Sequence, residues 1–385
     1  MNFLKTPFVI LSLFLMIVPL VCCASPDITV FNAKTGQRSS PSCYSFRQSL
    51  VEINTESRQY STLVRENHMF GGATFTYITY SERSRKLKEY EFPLLFEGYG
   101  GARDYAVRDG KMAYLKQKHF APDTPVEVIR AQSTRTPPLY VYDMATKSEK
   151  VIVPNVMLTG EPSNVFMRWI SDTKILIFDQ GRPYDANGKF VTSNPNGKLF
   201  IIDTVSGEQK TIENISNRDF PYAELSPDFT MLAFMEETDH ATTFDKVIKI
   251  MKVDSGKIIK TIGKGFSTRG GGPWKNLYWC WSPDSKELAY AEGNRLKVHN
   301  IASGKERIIK TLPDDYVFNF RLVFGKDIIG YTMERRGDKL KNTMKTTLYF
   351  IHAYTGRPIR DITAQFNGSI RLLDNDCTFV CETGY

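Results

Sequence analysis

Short runs in which apolar and polar residues alternate, each broken by a turn of small or polar residues, recur along the whole chain. They predict β-strands paired as hairpins. Ile28-Thr29-Val30-Phe31 leads into Asn32-Ala33-Lys34-Thr35-Gly36, and the strand from Leu139 leads into Asp143-Met144-Ala145-Thr146-Lys147. Further copies occupy 199–207, 248–256, 296–304 and 348–356, each ending on a glycine that supplies the positive φ of a tight turn. The strand after each turn is basic or apolar.

The turns are regularly spaced. Gly207 to Gly256 is 49 residues, Gly256 to Gly304 is 48 and Gly304 to Gly356 is 52, while Lys147 to Gly207 is 60, with the excess in the segment 181–197. A unit of about 40 to 50 residues is what one four-stranded propeller blade requires. Gly36 to Lys147 is 111 residues, two periods, so a further hairpin belongs near Ser84, where Thr74 to Tyr80 alternates. The Ser84 copy is the least regular.

A second element precedes most of these hairpins. It is an inner strand, a polar turn and a second apolar strand, clearest in Trp279-Cys280-Trp281-Ser282-Pro283-Asp284 followed by Leu288-Ala289-Tyr290. It recurs in Glu224-Leu225-Ser226-Pro227-Asp228 before Met231 to Phe234, and in shorter form in Trp169-Ile170-Ser171-Asp172 before Ile175 to Phe178. With its Ser-Pro-Asp turn before an apolar strand, the sequence resembles the exported TolB-like, WD-repeat-like propeller family. Ser171-Asp172 lacks the proline and the remaining copies are degenerate. The resemblance spans most of the chain and implies a fold, not an activity. The α/β domain of the Tol-system protein itself finds no room here.

The ends complement each other. An outer hairpin from Ile28 to Ser40 has no inner strands before it, while Ser369 to Leu373, a turn at Asp374-Asn375-Asp376 and Cys377 to Glu382 have no outer hairpin after them. Joined, they make one blade and close the ring. The fold expected is all-β: a single β-propeller domain over 25–385, with seven four-stranded blades. The irregular Ser84 region leaves six and eight blades open.

The first 24 residues have the form of a secretory signal, with Lys5, an apolar run from Phe8 to Val21 and small residues after it. Two cleavage chemistries fit: an ordinary cut near Cys22–Ala24, or a bacterial lipobox at Leu20-Val21-Cys22-Cys23 that leaves a lipidated Cys23 as the only membrane attachment. The expected location is outside the cytoplasm, in a periplasm or cell envelope, with an extracellular site as the alternative. The exported compartment permits disulfides, but Cys377 and Cys381 in one strand would stand about 13 Å apart, too far to bond each other.

The formal net charge is +8, of which Lys5 supplies one within the leader, and the charges are scattered along the sequence. The densest clusters, Arg83 to Lys88 and Arg335 to Lys345, fall at expected turns and read as solvated loops. A nucleic-acid partner is not expected.

No Gly-x-Ser-x-Gly elbow is present, so a fused hydrolase is not expected. The five histidines form no closely spaced pair; His299 and His352 fall in the outer hairpins and read as structural, while His119 and His240 fall in loop-like stretches. Metal ligands gathered around a propeller axis, one from each blade, would be invisible in sequence order, so no cofactor is assigned and a channel metal stays open. Two glycine-rich junctions remain. Phe266 to Trp274 offers backbone amides and Arg269 to an anionic or sugar ligand, with Trp274 as a stacking surface. Phe96 to Arg103 mixes Tyr99, Arg103 and glycines in the same way. The bland reading of both is a blade-to-blade crossover, and that of Trp279 and Trp281 is core packing. The expectation is a monomeric binding or scaffolding propeller that meets a protein or glycan through one rim. The alternative is a metal-dependent lyase or lactonase acting on carbohydrate-like substrates.

Overall fold

The computed structural model describes residues 27–35, 37–39, 48–54, 57–67, 73–93, 105–115, 137–156, 158, 165–179, 198–212, 223–237, 246–263, 279–335, 346–364, 370–373 and 378–383. Among them, 28 strands form seven four-stranded antiparallel sheets. Six sheets are continuous in the chain: blade 1 over 48–93, blade 2 over 105–153, blade 3 over 165–212, blade 4 over 224–262, blade 5 over 279–311 and blade 6 over 316–364. Within each, strands lie side by side in chain order. Blade 7 is the composite one: Thr378–Thr383 pairs with Ile370–Leu372 on one side and Asp27–Asn32 on the other, with Arg38–Ser39 outermost. The seven-bladed, terminally closed propeller expected from the spacing is therefore the fold.

The repeated turn explains its own sequence. In Asp203 to Glu208 the Asp203 carboxylate accepts the N–H groups of Val205 and Ser206, at 2.9 and 3.0 Å, and Gly207 N–H donates to Asp203 O at φ +76°. The carboxamide or carboxylate oxygens of Asn32, Asp143 and Asn300 accept turn N–H groups in the same way. Gly256, Gly304 and Gly356 share the left-handed position of Gly207. Where glycine is missing, Lys147 and Ser84 occupy that region at +53° and +57°, which confirms the hairpin placed near Ser84.

The turn between first and second strands is equally specific. Ser226 Oγ donates to Asp228 Oδ1 at 2.6 Å and accepts Met231 N–H at 2.9 Å; Ser282, Asp284 and Glu287 repeat this at 2.7 and 2.9 Å. Phe229 and Ser285, next in each turn, have positive φ.

A blade between two neighbours is buried on both faces, so the middle of its second strand is continuously apolar rather than alternating, as in Ile175 to Phe178 and Leu288 to Ala291. The period of two sorts the side chains between neighbours. Ile175 and Ile177 pack toward blade 2 and Leu176 and Phe178 toward blade 4; Leu288 and Tyr290 pack toward blade 4 and Ala289 and Ala291 toward blade 6. Seven apolar clusters result, one for every pair of adjacent blades, and the last, with Ile28, Val30, Tyr60, Ile78 and Leu373, joins blade 7 to blade 1. The first strands of blades 1, 2 and 3 touch in turn, as do those of blades 5, 6 and 7, which puts first strands around the axis and fourth strands on the circumference.

Candidate binding face

Antiparallel order divides the connections between two ends of the ring. Turns from first to second strand and from third to fourth strand lie at one end. Connections from second to third strand, and from a fourth strand to the next blade, lie at the other. Every connection at the first end has two to five residues. Every longer one, including 94–104, 116–138, 154–164, 180–197, 213–223 and 263–278, joins strand ends at the second. Variable segments on a rigid scaffold are where propellers and other folds carry recognition.

The short-turn end is committed to holding blades together. Glu52, in the first strand of blade 1, accepts the Asp109 N–H of blade 2 at 2.9 Å and the Tyr77 hydroxyl at 2.7 Å. Tyr77 Oη also lies 2.8 Å from Ser61 Oγ, and Ser61 and Thr79 share a 3.0 Å hydrogen bond. Burial pushes the Glu52 carboxyl above its ordinary value against the lowering effect of the Asp109 and Tyr77 hydrogen bonds. Burial likewise pushes the Tyr77 phenol up, reinforced by the Glu52 charge.

Beside it, Arg108 Nη2 pairs with Asp172 of blade 3 at 3.0 Å, and its guanidinium stands 5.4 Å from the ring centroid of Phe229 in blade 4. Asp228 N–H then donates to Ser285 Oγ of blade 5 at 3.1 Å. Five consecutive blades are tied through the ends of their first strands and the turns that follow. The Asp109-Gly110 turn makes the approach to Glu52 available because both residues have positive φ, +48° and +74°. None of Glu52, Arg108 or Phe229 stood out in the sequence; their only local signals are the Asp-Gly pair and the Ser-Pro-Asp turn.

Arg269, Trp274, Tyr99 and Arg103 lie outside the described residues, as do His68, His119, His240, Cys43, Cys377 and the Asp374–Asp376 turn. The strands bounding the two glycine-rich junctions are described. Lys86–Pro93 and Tyr105–Arg108 flank one, Ile258–Ile262 and Trp279–Trp281 the other, and all four flanking ends belong to the long-segment end of the ring.

His299 and His352 sit in third strands, Arg295–Asn300 and Thr346–His352, away from the axial first strands. His299 is buried, its pKa lowered by that burial, and its Nε2 has no hydrogen-bond partner. Cys280 is a buried free thiol in the apolar cluster between blades 5 and 6, and burial pushes its pKa up. Trp279 and Trp281 are core residues between blades 4 and 5, as expected. Among the described residues, no three His, Cys, Asp or Glu side chains converge as metal ligands.

No family model and no curated protein matches the chain. Similar solved structures include a protein described as a TolB from Agrobacterium tumefaciens, 12% identical over 94% of this chain and 99% of that one, TM-score 0.41. The β-propeller domain of the trilobed protease from Pyrococcus furiosus is 12% identical over 85% and 89%, TM-score 0.44. An oligogalacturonate lyase in complex with manganese is 9% identical over 94% and 98%, TM-score 0.38. By its own strand order the chain is a seven-bladed β-propeller, closed by pairing its first strands with its last.

Proposed function

We propose that this chain is an exported binding or scaffolding propeller that holds a protein or glycan partner on its long-segment face. The observation that carries the reading is the asymmetry of the ring: all connections longer than five residues leave from one end, while the other end is tied by Glu52, Arg108 and the Ser-Pro-Asp turns. Both glycine-rich junctions join strand ends on that face, so Arg269 and Trp274 on one, and Tyr99 and Arg103 on the other, are the contact residues assigned to a sugar or acidic group. The 1–24 leader directs export, by an ordinary cut near Cys22–Ala24 or by a lipobox cut that leaves Cys23 as the one point of lipid attachment.

The test is elemental analysis and native mass spectrometry of the purified protein, followed by incubation with carbohydrate and lactone substrates. The proposal expects no stoichiometric metal and no turnover. Conversion of a sugar or lactone with stoichiometric manganese, calcium or zinc would replace it with a metal-dependent propeller enzyme.

A further inference from the structure

Charges scattered along the sequence are gathered in space. The seven outer turns and the fourth strands they lead into, residues 33–39, 82–93, 144–153, 204–212, 253–262, 301–311 and 353–364, hold sixteen Lys and Arg against eight Asp and Glu. That excess equals the +8 of the entire chain. The circumference is therefore basic while the rest of the chain is balanced.

Part of this belt is structural. A cation stands opposite the third-strand residue two places before the turn in six consecutive blades: Lys88 opposite Thr79, Lys150 opposite Val141, Lys210 opposite Ile201, Lys260 opposite Ile250, Arg307 opposite Val298 and Arg360 opposite Phe350. Several reach the turn of the following blade. Lys210 Nζ donates to Asp254 O at 2.5 Å, Arg360 Nη2 to Lys34 O at 3.5 Å, and Arg307 lies 5.2 Å from the Tyr354 ring centroid.

A second row lies beside it, toward the short turns. Lys257, Lys305 and Arg357 each follow the turn glycine in blades 4, 5 and 6, and all three are exposed. Between them, Ile258 and Ile308 are 39% and 53% exposed. From blade 4 through blade 7 the belt has nine basic residues and three acidic ones, Asp254, Glu306 and Asp361.

We propose that this circumferential belt is a second binding surface, distinct from the long-segment face, for a linear anionic polysaccharide bearing carboxylates or phosphates. A convex row of cations repeated blade after blade matches a flexible chain that can follow the curve, whereas a flat bilayer would meet only a short arc of it. Lysines on edge strands also keep edges from pairing with one another, and that role alone would give no affinity for a polyanion.

The experiment measures binding of the purified protein to alginate, a linear carboxylated polysaccharide, at rising ionic strength, beside vesicles of phosphatidylglycerol and phosphatidylcholine. A variant combining Lys257→Gln, Lys305→Gln and Arg357→Gln removes exposed cations whose side chains make no hydrogen bond or ion pair among the described residues. The proposal expects salt-sensitive retention on alginate and about tenfold weaker binding by the variant, with its thermal unfolding unchanged. Absence of binding, equal binding by the variant, or tighter binding to the vesicles than to alginate would each overturn it. Failure here leaves the long-segment face untouched, since that face carries none of the three substitutions.

Discussion

The indole Nε1 of Trp281 donates to the carbonyl oxygen of Glu224 at 3.1 Å, across the junction between blades 5 and 4. Trp169 does the same to Ala106, also at 3.1 Å, from blade 3 to blade 2. In both cases a tryptophan ends the first strand, its ring packed in the inter-blade core and its one polar atom spent on the neighbour's backbone. Trp281→Phe keeps the ring and loses the hydrogen bond, so urea unfolding should show a loss of about 1 kcal/mol. Trp281→Ala should lose about 3–5 kcal/mol because it also opens a cavity. Equal losses in the two variants would show that the hydrogen bond, and not the ring, holds the junction.

Two glycines with positive φ separate strain from collision. A Cβ on Gly356 would stand 2.1 Å from the carbonyl oxygen of Ile309 in the preceding blade, whereas one on Gly293 would meet nothing within 4 Å. Both pay the left-handed conformation, at φ +67° and +60°. Gly293→Ala should therefore cost about 1 kcal/mol, and Gly356→Ala should cost distinctly more because backbone must move. Thermal unfolding of the pair measures the difference.

Acid should act in opposite directions at two carboxylates. Burial raises the Glu52 pKa, so between the ordinary carboxyl value and its folded value the native protein binds the proton more tightly, and this contribution to stability grows as pH falls. For Asp228, burial raises the pKa but the Ser226 hydroxyl and the Thr230 backbone and hydroxyl outweigh it; the net pKa is lowered, so its contribution is present above the ordinary carboxyl value and lost as pH falls through the folded one. Chemical denaturation from pH 7 to pH 5 should show the wild type gaining on Glu52→Gln. From pH 5 to pH 3 it should lose its advantage over Asp228→Asn.

How far the sequence could be read follows from these same residues. The glycine turns and the Ser-Pro-Asp turns are local devices whose geometry depends on side chains within five positions, so the period, the hairpin at Ser84 and the closure of blade 7 were all legible. The inter-blade ties were not. Glu52 and Asp109 are 57 residues apart and Arg108 meets Phe229 two blades away. The belt was missed for a related reason: one to four cations per 50-residue period look scattered until the register of six fourth strands aligns them. The four binding candidates, Arg269, Trp274, Tyr99 and Arg103, fall outside the described residues, and only the strand ends that carry their segments bear on them.

Closure of the ring rests on a pairing between the two ends of the chain. Asn32 Nδ2 donates to Thr378 Oγ1 at 3.1 Å, within a six-residue register from Asp27–Thr383 to Asn32–Thr378. Deleting 27–39 should leave blade 7 with two strands and lower the unfolding temperature markedly. A synthetic 27–39 peptide should restore part of the loss, because the remaining edge still presents the complementary strand. No recovery with saturating peptide would mean that the covalent connection to blade 1, and not the strand pairing, supplies the closure.

The most direct measurement is photo-crosslinking of the protein in the cells that make it, with the crosslinker placed singly at Gly100 or Gly270 on the long-segment connections and at Ser57, Pro227 or Lys286 on the first-to-second-strand turns, which lie outside the basic belt. Recognition by the long-segment face predicts discrete protein or glycan adducts from Gly100 and Gly270 and none from the three turn positions. Adducts confined to the turn positions would contradict it.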